Sequence, residues 1–451
     1  MILYFLVCIL LAATCLVVRK KQHITLLGVL FYGAHVALLA ALFGGDLYGA
    51  TCTLFFTFDA LGSLFFALLT FVSAFVFAHS IADLATCDLR EYRLYFALLM
   101  LFTAAIAGVY FANNIAVTWI FLEATTLCAA GIIYHHRTAH ALEAAWKYVF
   151  VCSTAIAIAY LGILLLSTAA AGGSLSYAEL ARTAAAGNTL YIKIAFVLIL
   201  CGYSCKMEIF PLYTVGIDAN FAAPAPAAAL ISTALVNAGF VAIYRIYKVV
   251  LTTDAADWMR AVLLITGLLS LAVGAFFLRR TNNYKRFLSY STVENMGIVA
   301  IGLGIGGIGV WAAVFHVACH TLIKSSLFLQ TTVLYNIYND YGINRIGDYL
   351  RINPIGAIGC IVGTVVLLAF PPSPLFISEL MILKQVVANG SWWLVAALLI
   401  LLCIVIYALC SRIVRLCYQP NQNQVHITPT DRWLSRSALV LLLTALVLGL
   451  W

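Results

Sequence analysis

The chain has 451 residues, 64% of them apolar and only 9% charged, with a mean hydropathy of +1.05. A soluble domain carries about 25% charged residues, so a soluble enzyme or binding module is excluded and a polytopic membrane protein is expected. The formal net charge of +8 does not point to nucleic acid, because the basic residues sit in short loops between apolar runs.

The first 18 residues are apolar, with no basic segment ahead of them and no small-residue cleavage site. They read as a first span and not as a signal peptide. At about 20 apolar residues per span, fourteen spans are predicted. They lie near 1–18, 23–43, 53–79, 94–112, 114–134, 147–170, 191–210, 227–247, 259–278, 288–306, 309–335, 354–387, 391–411 and 433–451. Two of them are expected to be broken. The seventh ends at Pro211, and Pro224 and Pro226 stand in the loop before the eighth. The twelfth contains "FPPSPLF", where Pro371, Pro372 and Pro374 lack the amide hydrogens a helix needs. Irregular backbone at membrane depth is tolerated only where protein or a water-lined cavity satisfies it, and it marks ion pathways in transporters.

Basic residues predict the orientation. Seventeen fall in the loops after odd-numbered spans and five in those after even-numbered spans, with Lys206, Lys324 and Lys384 in or beside spans. The bias places both termini on the non-cytoplasmic side of an inner (cytoplasmic) membrane. The thirteen cysteines are scattered and form no C-x-x-C. Cys201 and Cys205 share a helix face, but two thiols without a histidine make a poor metal site, and small buried residues are the expected role. No phosphate-binding loop, dinucleotide fingerprint or iron–sulfur spacing is present, so no cofactor and no metal are expected in this chain.

The predicted spans contain Asp59, Glu123, Lys206, Glu208, Glu294, His316, His320, Lys324, Glu379 and Lys384. Ionisable groups in hydrocarbon are expensive and mark conduction paths or pairs. Glu123 lies near the middle of the fifth span. Desolvation favours the neutral forms of a buried carboxyl and a buried amine, whereas each charged form favours the other. A Glu–Lys pair across two helices therefore has an ionic and a neutral state of similar energy, which is what a proton relay requires. Glu208 is the sequence neighbour of Lys206, yet residues two apart on a helix do not face each other. They meet only if the helix unwinds near Pro211. His316, His320 and Lys324, at i, i+4 and i+8, fall on one helix face. Without a carboxylate between the histidines, they read as a proton-hopping line and not as a metal site. Glu379 stands next to the proline break, while Lys384 is placed to snorkel outward. Glu143 and Lys147, at i and i+4 where the sixth span begins, read either as an interfacial ion pair or as a proton-entry point.

Several strings occur together in a fixed order: "LEATTL", "HALEAAWKY", "GYSCKMEIFPLYTVGIDANFAAPAPAAALIS", "YKRFLSYSTVENMGI", "HTLIKSSLF" and "PPSPLFISELMILK". As a set they resemble the antiporter-like membrane subunits of respiratory complex I, of Mrp-type cation/proton antiporters and of membrane-bound energy-converting hydrogenases. The hydrogenase-4 component F type is the nearest of these. The resemblance covers nearly the whole chain. It implies an all-α fold of about fourteen transmembrane helices with two inverted five-helix repeats and broken helices seven and twelve. The implied divisions are 1–112 for the first helices, 94–250 and 258–412 for the two repeats, and 413–451 for a cytoplasmic loop and the last helix. By motif match, Glu123 and Lys206 are the family's fifth- and seventh-span pair, Lys324 and His320 its eleventh-span pair, and Glu379 its twelfth-span terminal group. His316, Lys147, Glu143, Glu208, Asn237 and Lys384 are secondary candidates.

Departures from the family pattern bear on function. Asn237 stands where the eighth span often carries lysine, and it holds water but stores no charge. Tyr213, Val215 and Asn220 replace the family's histidine, tryptophan and second histidine. Glu208 stands where glycine or proline is usual, and Asn295 where other branches place histidine. A chain ending directly after the last span implies that no lateral helix follows. The expected function is proton (or sodium) translocation within a membrane-bound respiratory or hydrogenase-type complex. Other antiporter-like subunits and a peripheral redox arm, carrying Ni–Fe or Fe–S centres, are the expected partners. The alternatives are a membrane scaffold or ion-conducting partner in a redox-free complex such as inorganic-carbon uptake, and a cation/proton antiporter.

Overall fold

The computed structural model describes residues 1–44, 51–53 by their backbone, 55–170, 174–421, 425 and 427–449. In chain order its helices are α1 (Ile2–Val17), α2 (Lys21–Phe43), α3 (Ala60–Asp83), α4 (Leu89–Phe111), α5 (Ile115–Ile133), α6 (Ala139–Ala169), α7 (Tyr177–Ala184), α8 (Thr189–Met207), α9 (Thr214–Ala222), α10 (Ala225–Leu230), α11 (Val236–Val250), α12 (Ala256–Arg280), α13 (Tyr284–Ile305), α14 (Ile308–Tyr338), α15 (Tyr349–Ile352), α16 (Pro354–Leu367), α17 (Pro374–Ala388), α18 (Trp392–Tyr418) and α19 (Pro429–Gly449). A small antiparallel ribbon, β1 (Thr51–Thr53) with β2 (Phe56–Thr57), precedes α3. The protein is an all-α, multi-pass membrane protein. Among the described residues, eleven helical runs are long and apolar enough to cross a bilayer, and α1 and α16 are shorter apolar helices.

These helices are apolar all round, so periodicity does not choose their buried face. Packing does. The run Ala225–Val250 is 94% buried in its most apolar window and α14 is 83% buried, whereas α2 and α18 are 22% and 28% buried. The latter two present Leu26, Val29, Trp392, Trp393 and Ile400 outward, as lipid requires.

The chain divides into two compact units. The first comprises residues 1–207, 212–227 and 234–259. Within it, α6 and α8 touch backbone to backbone. A Cβ at Gly202 would lie 2.4 Å from the Ala155 carbonyl oxygen, and one at Gly162 would lie 2.8 Å from that of Ala195. Small residues supply the close packing that the hydrophobic effect does not provide in lipid. The same device seats α11 on the end of α8, since a Cβ at Gly239 would lie 2.5 Å from the Met207 nitrogen. These contacts fix where the last residue pair of α8, Lys206 and Met207, points.

The second unit comprises residues 208–211, 228–233 and 260–451. Here α12 and α13 are equally close. A Cβ at Gly274 would lie 2.6 Å from Glu294 Cβ, and one at Gly297 would lie 2.8 Å from the Gly267 oxygen. Ser326 Oγ donates to Ala438 O at 2.7 Å and Gln330 Nε2 to Ser435 O at 3.0 Å, which ties α14 to α19.

Both expected interruptions are present, with a shift in one. Helix α16 stops at Leu367, Ala369 takes a left-handed φ of 52°, and α17 starts at Pro374. Proline suits a first helical turn, whose amide needs no partner, and Ser373 Oγ caps the turn by accepting from Phe376 N at 3.2 Å. The seventh-span helix ends at Met207, four residues before Pro211, because Glu208 adopts a left-handed φ of 55°. Pro226 belongs to the first turn of α10 and not to a loop. Helix α6 begins at Ala139, eight residues before the expected edge, with Thr138 Oγ1 accepting from Ala141 N at 3.0 Å.

Two charges also differ from expectation. Asp59, expected inside the third span, lies just before its helix. It is the N-cap of α3, accepting from Gly62 N at 3.0 Å. Arg245, one of the five basic residues counted in the loops after even-numbered spans, is 7% exposed on α11. Its guanidinium donates to Val109 O at 3.1 Å, to Tyr110 O at 2.5 Å, to Ala112 O, and to Asp59 Oδ1 at 3.3 Å. Carbonyls at a helix C-terminus lack intrahelical partners; here one arginine fork satisfies those of Tyr110 and Ala112 and adds to the amide already bonded to Val109 O.

Candidate functional site

The first unit places Glu123, Lys206 and three hydroxyl groups together. Asn114 fixes the start of α5 by accepting from Ala116 N at 2.9 Å, and Glu123 follows about two turns later, half-buried. Its Oε1 accepts from Ser153 Oγ on α6 at 2.7 Å, and its Oε2 from Thr126 Oγ1 at 3.3 Å. Fully buried Lys206 donates to the same Thr126 Oγ1 at 2.8 Å and to Tyr148 Oη at 3.2 Å. The Tyr148 ring centroid lies 5.0 Å from the amine. Lys206 and Glu123 are thus joined through Thr126. A hydroxyl both accepts and donates, so a proton accepted from the amine is matched by one donated to the carboxylate.

Thr126, Tyr148 and Ser153 were not singled out from the sequence. Thr126 lies three residues after Glu123, a spacing that puts both on one helix face, and this was the available signal. Glu143 and Lys147 form an exposed ion pair at 2.5 Å, with Asp218 at 4.0 Å from the same amine. Buried Asn237 follows the π-helical turn Ile231–Leu235, whose Ala234 O accepts from Tyr110 Oη at 2.8 Å.

The second unit holds a longer polar line. Lys324, fully buried on α14, donates to Leu288 O and to Ser291 Oγ on α13. One turn along α13, Asn295 Nδ2 donates to Ser291 O at 2.7 Å and to Glu294 Oε2 at 2.6 Å. Asn295 Oδ1 therefore faces His316 Nε2, at 3.0 Å, and the imidazole donates there. The other ring nitrogen, Nδ1, meets Ser378 Oγ at 2.9 Å. Ser378 Oγ also has Leu375 O at 2.8 Å. The Ser378 hydrogen can point to His316, leaving the ring neutral, or to Leu375 O, leaving Nδ1 free to carry a second proton. His316 can gain or lose a proton without any heavy atom moving.

Among the described residues, His320, one turn from His316 and fully buried, has no hydrogen-bond partner on either ring nitrogen. Buried polar atoms in this state are usually satisfied by water. Glu379 follows Ser378 on α17 and lines a cavity with Glu294, while Lys384 is exposed further along the helix. Glu208 is 2% exposed and groups with the second unit, where its charge and that of Glu294 act on Lys324. The left-handed turn after Met207 is what separates it from the helical course of Lys206. Among the described residues, no group of three or more His, Cys, Asp and Glu side chains is arranged to hold a metal ion.

Residues 112–405 match the family described as NADH:quinone oxidoreductase/Mrp antiporter, transmembrane region. The chain is 29% identical over 354 residues to a hydrogenase-4 component F homolog of Methylacidiphilum infernorum, covering 74% of this chain and 73% of that one. Its fold superposes on a chain of the membrane-bound sulfane sulfur reductase, an archaeal respiratory membrane complex, with a TM-score of 0.86 at 20% identity. That match covers 99% of this chain and 93% of the other. A chain of the Mrp complex from Dietzia sp. DQ12-45-1b gives a TM-score of 0.85 at 17% identity, again over 99% and 93%.

Proposed function

Because this chain belongs to the NADH:quinone oxidoreductase/Mrp antiporter transmembrane family, we propose that it translocates protons (or sodium ions) as one membrane subunit of a respiratory or hydrogenase-type complex. The observation that carries this reading is the Lys206–Thr126–Glu123 relay, a buried amine and a carboxylate joined by one hydroxyl. The second unit supplies a comparable set in Lys324, Glu294, His316 and Glu379. Proton transfer through Thr126 changes the charge on Lys206 and Glu123 together, so a modest external field biases the equilibrium between the two states. In the second unit, protons pass from Lys324 to His316 by way of water and leave at Glu379, because the Asn295 amide donates to the Ser291 carbonyl and relays no proton itself. His320 takes part through water at its two unpartnered nitrogens.

The chain's own residues bind no redox group in this scheme. A peripheral arm with Ni–Fe or Fe–S centres supplies the driving energy, other antiporter-like subunits flank it in the inner membrane, and both termini face away from the cytoplasm. Neutral Asn237, and Tyr213 and Asn220 in place of histidines, favour as second reading a membrane scaffold in a redox-free complex. Masses of co-purifying subunits separate the two. The principal test uses the intact complex in sealed vesicles. Glu123→Gln or Lys206→Ala is expected to abolish coupled pH-gradient formation while assembly survives, and a normal gradient with either change refutes the reading.

A further inference from the structure

The break between α16 and α17 borders a cavity of about 200 Å³. Most of its wall is apolar, with Ile298, Leu398, Leu402 and Val405 among the contributors, and two carboxyl groups, Glu294 and Glu379, project into it. Leu380, which also lines the cavity, is 49% exposed, so the cavity reaches the apolar outer surface of this unit. Glu294 is only 2% exposed, and one of its oxygens is held by Asn295. Among the described residues, neither its other oxygen nor either oxygen of Glu379 makes a hydrogen bond or ion pair. Both carboxyls line the same cavity.

A second source of negative potential reaches the same wall. Leu367 and Leu368 line the cavity at the C-terminal end of α16. Four residues on from them stand Pro371 and Pro372, which have no amide hydrogen to offer their carbonyls. A helix C-terminus carries partial negative charge. An apolar chamber that reaches the apolar outer surface, with unpartnered carboxylate oxygens at its inner wall, is complementary to one kind of molecule.

We propose that this cavity binds a lipophilic cation, a short apolar chain bearing a primary ammonium or guanidinium head. The chain fills the leucine-lined chamber and the head donates to Glu294 and Glu379. A cavity of about 200 Å³ is well above the roughly 10–15 Å³ that admits one water, so it has room for a short chain such as hexylammonium. A bound cation would neutralise Glu379, the carboxyl assigned above to proton exit, together with its neighbour Glu294. The binding itself does not depend on the translocation reading, because it is measured without a gradient.

The test is equilibrium dialysis of labelled hexylammonium against the full chain in lipid nanodiscs, with empty nanodiscs subtracting partition into lipid. Hexan-1-ol, equal in size and uncharged, is the comparison. One hexylammonium per chain is expected, with no hexanol above the empty-disc value. Losing one charged partner of a buried pair costs about 2 kcal/mol or more, so Glu294→Gln and Glu379→Gln are each expected to weaken binding by roughly 30-fold. Leu402→Trp, which fills the chamber and keeps both carboxyls, is expected to abolish it. Thermal unfolding of each variant shows that the fold is retained. Undiminished hexylammonium binding by both glutamine variants, or no binding above empty discs, overturns the proposal. Equal retention of hexanol also overturns it and assigns the chamber to an uncharged lipid chain. Pumping that survives in Glu123→Gln would refute the translocation reading and leave this result untouched.

Discussion

Replacing Thr126 by valine isolates the hydroxyl that joins Lys206 to Glu123. The side chain keeps its branched shape and loses one oxygen, which accepts from the amine at 2.8 Å and donates to the carboxylate at 3.3 Å. Lys206 then retains Tyr148 Oη as a donor target, and Glu123 retains Ser153 Oγ. A hydrogen bond to a charged group contributes about 1.5–3 kcal/mol, and about 1.4 kcal/mol is a factor of ten. If proton passage uses this bridge, Thr126→Val is expected to slow it by roughly 10- to 150-fold. The assay is redox-driven acidification in vesicles carrying the intact complex, with electron transfer measured in parallel. Thr126→Ser restores the hydroxyl and should return the rate to within about threefold, an allowance of less than 1 kcal/mol. Unchanged acidification in the valine variant would refute the bridge. So would an equal loss in the serine variant, which would trace the defect to packing.

Two further predictions concern the scaffold. Arg245→Met leaves the Tyr110 and Ala112 carbonyls at the end of α4 without this donor, while Val109 O keeps the Ala112 amide; at about 1–3 kcal/mol for each buried acceptor, thermal unfolding in nanodiscs should show a large drop. Arg245→Lys should recover little of it, because an ammonium does not reproduce the planar fork. Gly274→Ala places a methyl group 2.6 Å from Glu294 Cβ and 3.0 Å from its backbone, so α12 must shift from α13 at a cost of about 1–3 kcal/mol. That cost should appear as a lower midpoint of unfolding together with impaired proton passage, since Glu294 moves with α13. A substitution at Gly33, where nothing lies within 4 Å, is the neutral comparison.

What the sequence determined by itself was the class of molecule and the kind of residue to examine. Runs of apolar side chains long enough for a bilayer dictate helices, because no other open structure satisfies its backbone in hydrocarbon. Proline placed both interruptions, since a missing amide is a local property. Ionisable groups inside such runs announced themselves by their cost. The position of the first interruption was legible only to within four residues. Its cause, the left-handed turn at Glu208, is a choice between backbone wells that the surroundings settle.

Tertiary structure alone decided which polar groups meet. Glu123, Ser153 and Lys206 come from three helices that are apolar on every side, and Ser291, Asn295, His316 and Ser378 come from three others. No periodicity states which faces oppose each other. The answer lies in glycine contacts such as Gly202 against Ala155 and Gly274 against Glu294, which set helix rotation by excluded volume. Arg245 is the clearest instance. Its sequence context reads as a loop charge that orients the protein in the membrane, yet the fold buries it as the cap of α4. A charged side chain's role depends on which unsatisfied atoms it reaches, and those atoms lie more than a hundred residues away in the chain.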